Sequence, residues 1–178
     1  MPEESRQGQK QGQKQRIGIG IDAHRLVEGR PLVLGGVLID FPLGLEGHSD
    51  ADVLTHAVAD ALLGAAGLED IGHYFPDTDP SYEGISSLDI LAKVVGLIGA
   101  RGCRIGNVDA VLVLEEPKIS LYRQAIRESL AGVMGIPPAD VSVRGTSTEK
   151  MGYAGRGEGI AAHAVALLEC GINRERDV

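Results

Sequence analysis

IGIGIDAH, residues 17–24, alternates Ile17, Ile19 and Ile21 with Gly18, Gly20 and Asp22. Alternation with a period of two belongs to a β-strand, in which residues two apart face the same side. Asp22 and His24 therefore present a carboxylate and an imidazole together at the end of that strand. The stretch also satisfies GxGxxA as a bare pattern. A dinucleotide fingerprint needs its glycines to follow a strand and open a long helix. Here the glycines lie inside the strand, and Gly29 and Pro31 soon forbid a long helix, so a dinucleotide site is set aside.

Outward from this strand, residues 32–34 and 37–41 read as a short hairpin about Gly35-Gly36. Residues 50–66 read as a helix rich in Ala and Leu, stopped by Gly67. DIGHYFPDTDPSYEG is loop, punctuated by Pro76, Pro80 and repeated Asp. A second helix is expected over 87–101, capped by Ser86 or Ser87 and stopped by Gly102. A third spans 119–134 and ends at Gly135. Further strands fall at 107–114, 141–144 and 160–168. This alternation predicts an α+β fold, a two-layer α/β sandwich. It consists of a mixed four-stranded sheet with helices on one face, plus a small hairpin.

The boundaries expected are a disordered tail over residues 1–15, a single domain over 16–170 and a C-terminal tail over 171–178. The tail carries the low-complexity run GQKQGQKQ and no apolar segment of the kind a secretory signal needs. The chain has 178 residues and a net charge of −8, which argues against a general nucleic-acid binder. No apolar run approaches the roughly 20 residues of a membrane span. Aromatic residues are scarce and 25 residues are Gly, so the core is expected to be Leu, Val, Ile and Ala. Cys103 and Cys170 stand alone without CxxC spacing. They read as small buried apolar residues without a disulfide, in keeping with a reducing cytoplasm.

The helix over 50–66 carries Asp52, His56 and Asp60 at i, i+4 and i+8, hence on one face. Asp52 is as readily a solvated residue as a functional one; His56 is harder to dismiss, flanked as it is by residues that favour burial. Asp22, His24 and His56 supply one oxygen and two nitrogens, and three protein ligands with one open position are the pattern of a catalytic zinc. Spacing alone leaves His48 as an alternative third nitrogen. His73 and His163 lie outside the cluster, and His163 reads as structural. Asp77-Thr78-Asp79-Pro80 is either a cation site or a tight turn. Lys118 stands near a helix start, where free N–H groups also favour phosphate. Thr146-Ser147-Thr148-Glu149 sets hydroxyls beside a carboxylate, a pattern suited to diphosphate and a divalent ion.

Assembled in order, IGIGIDAH, GHSDADVLTHAVADALLGAAGLEDIG, FPDTDP, GNVDA, EEPK and TEKMGYAGRGEGI resemble the 2-C-methyl-D-erythritol 2,4-cyclodiphosphate synthase family over essentially residues 16–168. The resemblance implies a cytoplasmic homotrimer with active sites between neighbouring subunits. It assigns zinc to Asp22, His24 and His56, and Mg²⁺ or Mn²⁺ to Glu149. It places His48 and Ser147 as hydrogen-bonding catalytic groups. It implies substrate contacts from Asp22, His24, His48 and Ser49. Asp70, Ile71 and Gly72 match positions that hold the methylerythritol part, with Phe75, Pro76, Asp77, Thr78 and Asp79 in the loop beside it. Leu114, Glu115, Glu116, Pro117, Lys118, Ile119 and Ser120 match the nucleotide segment. Thr146, Ser147, Thr148 and Glu149 match the diphosphate site. Tyr153 and Arg156 match positions near the trimer axis, where some members bind an isoprenoid diphosphate. Leu114, Ser120, Gly145, Ser147 and Tyr153 depart from the family pattern, and none of them touches the zinc triad.

The implied reaction closes 4-diphosphocytidyl-2-C-methyl-D-erythritol 2-phosphate to its 2,4-cyclodiphosphate and releases CMP. Neither nucleic acid nor membrane is an expected partner. Two rival readings use the same residues: a metal-dependent phosphohydrolase, and a non-catalytic trimer that binds an isoprenoid diphosphate.

Overall fold

The computed structural model describes residues 13–76, 78–79, 82 and 84–171. Strand β1 (Gln13–Val27) pairs antiparallel with the last strand β7 (Gly159–Gly171), and β7 pairs antiparallel with β5 (Cys103–Val113). Strand β6 (Val141–Thr146) lies parallel to β5. A two-residue strand β4 (Gly44–Leu45) extends the other edge, so the sheet has five strands in the order β4-β1-β7-β5-β6 rather than the four expected. Strands β2 (Leu32–Leu34) and β3 (Val37–Ile39) form the separate hairpin.

Residues 13–15 and 171, expected in the tails, belong to strands. Residues 13–15 pair with residues 169–171 as the first turn of the β1–β7 ladder, because backbone hydrogen bonding there needs no apolar side chain. Residues 1–12 and 172–178 lie outside the described residues.

Helix α1 (Val53–Ala66) lies across β1 and β7, with α3 (Ser87–Ala100) beside it and α4 (Arg123–Met134) over β6. A one-turn helix α2 (Ile71–Tyr74) interrupts the stretch read as loop, and a second, α5 (Gly152–Gly155), precedes β7. Residues 119–121 form a separate 3₁₀ turn before α4. Every residue of α1 except Asp60 and Gly64 is buried, as expected of a helix apolar on nearly all sides.

Gly18 and Gly20 explain how α1 sits so close to the sheet. They, not the isoleucines, face the helix. A Cβ on Gly18 would meet the Ala61 carbonyl oxygen at 2.1 Å, and one on Gly20 would meet the Ala57 carbonyl oxygen at 2.0 Å. The obstacle is backbone, which has no rotamer through which to yield. Gly20→Ala should therefore cost about 3 kcal/mol, the upper part of the usual overpacking range, read as a lowered denaturation midpoint. An unchanged midpoint would mean that the helix is free to ride outward.

Asp52 resolves against the solvated reading. It is fully buried, caps α1 through the Thr55 N–H at 3.1 Å, and accepts from the Gly35 and Gly36 N–H groups at 2.9 and 2.7 Å. It thereby ties the hairpin turn to the start of α1. Burial pushes its carboxyl up from the ordinary value, against these donors.

The cysteines also differ from expectation. Antiparallel register sets Cys103 at the start of β5 opposite Cys170 near the end of β7, and the two form a disulfide. A separation of 67 residues in sequence conceals this pairing.

Candidate metal centre and substrate cleft

β1 runs past the end of the α1 contact, so Asp22 and His24 emerge on the side where His56 stands one turn into α1. The Ala23 N–H donates to Asp22 Oδ1 at 2.8 Å, which leaves Oδ2 for the imidazoles. Asp22 Oδ2 lies 3.0 Å from His24 Nε2 and 3.0 Å from His56 Nδ1, and those two nitrogens are 3.4 Å apart. Ligands about 2.0–2.1 Å from a tetrahedral zinc stand roughly 3.3 Å from one another, so spacing and donor set both fit such an ion. Among the described residues this is the one cluster of three or more His, Cys, Asp or Glu with that geometry. His48, the alternative nitrogen, is outside it.

Electrostatics agree. Burial raises the Asp22 carboxyl, but hydrogen bonds and charge from His24 and His56 outweigh it and hold the group well below the usual carboxylate range. The same hydrogen bond to Asp22 raises His24. The His24 Nδ1 lies 2.7 Å from the Glu46 carbonyl oxygen, which fixes the ring with Nε2 toward the cluster.

The cluster floors a cleft of about 470 Å³. Of the residues singled out from sequence, His48, Ser49, Ile71, Gly72, Phe75, Thr78 and Asp79 also line it. Asp70 does not; it caps α2 by accepting from the His73 N–H at 3.0 Å. Pro76 follows Phe75 without lining the cleft, and Asp77 lies outside the described residues.

Leu114, Glu115, Pro117, Lys118, Ile119, Ser120, Thr146 and Ser147 gather elsewhere, around a second cleft of about 150 Å³. Gly145 suits its neighbour there, because a Cβ would meet Ile119 Cγ1 at 3.0 Å. Glu116 and Arg156 line a third cavity. Glu115, expected as a nucleotide contact, accepts from the Thr148 and Lys150 N–H groups at 3.0 Å each. These bonds, the Lys150 one foremost, hold its carboxyl below the ordinary value. They also restrain Glu149 and Lys150, whose φ angles of 52° and 63° are left-handed without being glycine. The Ser147 hydroxyl donates to Glu149 at 2.8 Å. Tyr153 is exposed, and Arg156 forks onto Glu158 at 2.7 and 3.0 Å. Because β1, β5 and β6 all run in one direction, the Asp22–His24–His56 cleft and the Lys118–Ser147 cleft lie at the same end of the sheet, separated by β7.

Sequence reasoning missed several organisers. Arg30 donates to the Gly47 and Ser49 carbonyls at 2.6 and 2.7 Å and so fastens the loop that precedes α1. Lys93 sits over the Phe75 and Tyr82 rings, 5.5 and 5.0 Å from their centroids, and ties one wall of the cleft to α3. Ser87, read only as a cap, approaches His56 Nε2 at 2.8 Å. No linear spacing signals any of these contacts.

Comparison with known proteins follows the same lines. Residues 15–169 match the YgbB family. A 2-C-methyl-D-erythritol 2,4-cyclodiphosphate synthase from Synechococcus elongatus is 58% identical over 153 residues, covering 86% of this chain and 96% of that protein. A solved structure of a 2C-methyl-D-erythritol-2,4-cyclodiphosphate synthase in a CDP-bound form is 42% identical, with a TM-score of 0.80 over 86% of this chain and 99% of the other. The bifunctional IspDF of Campylobacter jejuni gives a TM-score of 0.86 at 36% identity; 93% of this chain matches 44% of that longer one.

Proposed function

From the premise that the chain belongs to the YgbB family, we propose how its residues carry out the family's reaction. The chain is a cyclising lyase of isoprenoid biosynthesis, converting 4-diphosphocytidyl-2-C-methyl-D-erythritol 2-phosphate to the 2,4-cyclodiphosphate with release of CMP. An oxygen of the 2-phosphate attacks the β-phosphorus. The bond from that phosphorus to the bridging oxygen breaks, and its electron pair leaves with CMP.

Both reacting groups are anionic, so the chain must align them while their repulsion is relieved. Asp22, His24 and His56 would hold Zn²⁺, and Glu149 would hold Mg²⁺ or Mn²⁺. When bound, such cations supply charge neutralisation and polarisation of phosphate oxygens. The remaining work belongs to side chains. Ile71, Gly72 and Phe75 enclose the methylerythritol part. Thr146, Ser147, Thr148 and Lys118 grip phosphate oxygens. His48 and Ser147 donate hydrogen bonds to developing charge. Alignment within one folded substrate lowers a barrier by roughly 7–11 kcal/mol in favourable cases, so no side-chain nucleophile is required.

The observation that carries this reading is the Asp22–His24–His56 cluster at the floor of a cleft lined by both polar groups (His48, Ser49, Thr78) and apolar ones (Ile71, Phe75, Ile85, Ile90). The cleft alone admits water as well as an intramolecular nucleophile, so the cyclase reading over the phosphohydrolase rests on the family relationship. Product analysis on the authentic substrate tests it: cyclic diphosphate and CMP in equal amounts support the cyclase, and inorganic phosphate supports the hydrolase.

The complete site is composed from two copies in a homotrimer. Two observations support this. The cluster and the Lys118–Ser147 group occupy separate clefts within one chain. The sheet face away from the helices is uncovered and apolar, with Ile17, Ile19, Ile21 and Val165 exposed at 73, 64, 56 and 45%. An isoprenoid diphosphate near Tyr153 would have to compete with Glu158 for Arg156. We place the reaction in the cytoplasm on the resemblance; the bonded cysteines no longer argue for it.

Glu149→Ala should lower turnover by at least ~100-fold, since a divalent cation supplies several kcal/mol of charge stabilisation. Zinc content should stay at the parental level. Loss of both together would mean that the two ion sites are not separate.

A further inference from the structure

The geometry points to Ser87 and Asp50 as a positioning relay that decides which nitrogen of His56 is offered to the metal. The inference rests on the metal-site reading above and adds two residues that act through His56.

Ser87 opens α3 and is fully buried. Its Oγ lies 2.8 Å from His56 Nε2 and is also hydrogen-bonded to Asp50 Oδ1. The other Asp50 oxygen accepts the Ser87 N–H at 3.0 Å. A serine hydroxyl has one proton, and an ionised carboxylate only accepts. The Ser87 proton therefore points to Asp50. Its oxygen faces His56 as an acceptor, and Nε2 must carry the imidazole proton. Once an ion takes the place of the Nδ1 proton, Nδ1 is the bare nitrogen that faces it, and Nδ1 is the atom 3.0 Å from Asp22 Oδ2. The reverse arrangement would turn the Ser87 lone pairs toward the Asp50 carboxylate, which is repulsive.

Helix capping does not account for the Ser87 hydroxyl. The Ser86 side chain already caps α3, accepting from the Leu88 N–H. A fully buried hydroxyl with no capping duty, held between a carboxylate and a ligand imidazole, is what an orienting outer contact requires. Ser49 Oγ stands at 3.4 Å from the same nitrogen and is the weaker partner. His24 uses the mirror arrangement, with Nδ1 on the Glu46 carbonyl and Nε2 turned to Asp22. Each imidazole is thus oriented by a group from a different element.

The test is zinc affinity of the full chain, measured by competition against a chromophoric chelator for the parent, Ser87→Ala and Ser49→Ala. Thermal melting of the zinc-free proteins is followed alongside. Removal of such an outer partner typically weakens metal binding by ~10–100-fold. That loss is expected for Ser87→Ala with little change in melting, and a smaller one for Ser49→Ala. Ser87→Ala binding zinc within about twofold of the parent, against the 10–100-fold expectation, overturns the relay and leaves the metal site standing. A parent that binds no zinc overturns both. Should Ser87→Ala fail to fold, ¹⁵N spectra of the zinc-loaded parent decide: metal on His56 Nδ1 with a slowly exchanging Nε2 proton supports the relay, and metal on Nε2 overturns it.

Discussion

His56→Ala should yield a folded chain that neither retains zinc nor turns over substrate. The proposed site has three protein ligands, and the remaining Asp22 and His24 would form a two-point grip that a chelator readily outcompetes. Alanine has the highest helix propensity, so α1 itself should persist. The polarisation lost with the ion is worth several kcal/mol, which places residual cyclisation at least ~1,000-fold below the parent. Metal analysis and CMP release on one preparation check this. A verifiably zinc-free variant cyclising near the parental rate would remove the ion from the account.

The helix and strand pattern was readable because its cues are local. Glycines stop α1 and α4, Ser86 opens α3, and the IGIGID alternation marks β1. The direction of that alternation was not readable. Hydrophobicity gives no reason for Gly18 and Gly20 to face the helix, since the reason is the close approach of the α1 backbone. Asp22 and His24 were legible from strand geometry and His56 from its apolar surroundings. Spacing left His56 and His48 as alternatives; the family resemblance chose His56, and the packing of α1 against β1 brings its ring to Asp22 and His24. Asp52 was ambiguous for a related reason: its partners, Gly35 and Gly36, lie across a hairpin. The Cys103–Cys170 pair likewise follows from strand register, which composition does not encode.

Ile19→Glu should break the proposed trimer into single chains and reduce CMP release by at least ~100-fold, because assembly would bury an unpaired carboxylate in each copy. Ile19 faces away from α1 and is 64% exposed in the chain, so the substitution leaves the chain's own core intact. Zinc content should be retained, because Asp22, His24 and His56 all come from one chain. Sedimentation and activity would be read together. Fully active single chains would show that one copy holds a complete site and that the uncovered sheet face serves another purpose.

The most direct measurement is X-ray absorption at the zinc edge on the purified chain, alone and with CDP. Two imidazole nitrogens at about 2.0–2.1 Å, one carboxylate oxygen and one exchangeable light atom are expected, without the sulfur shell near 2.3 Å that a thiolate ligand would give. A closed shell of four protein ligands, or a sulfur shell, would contradict a reaction centre built on Asp22, His24 and His56.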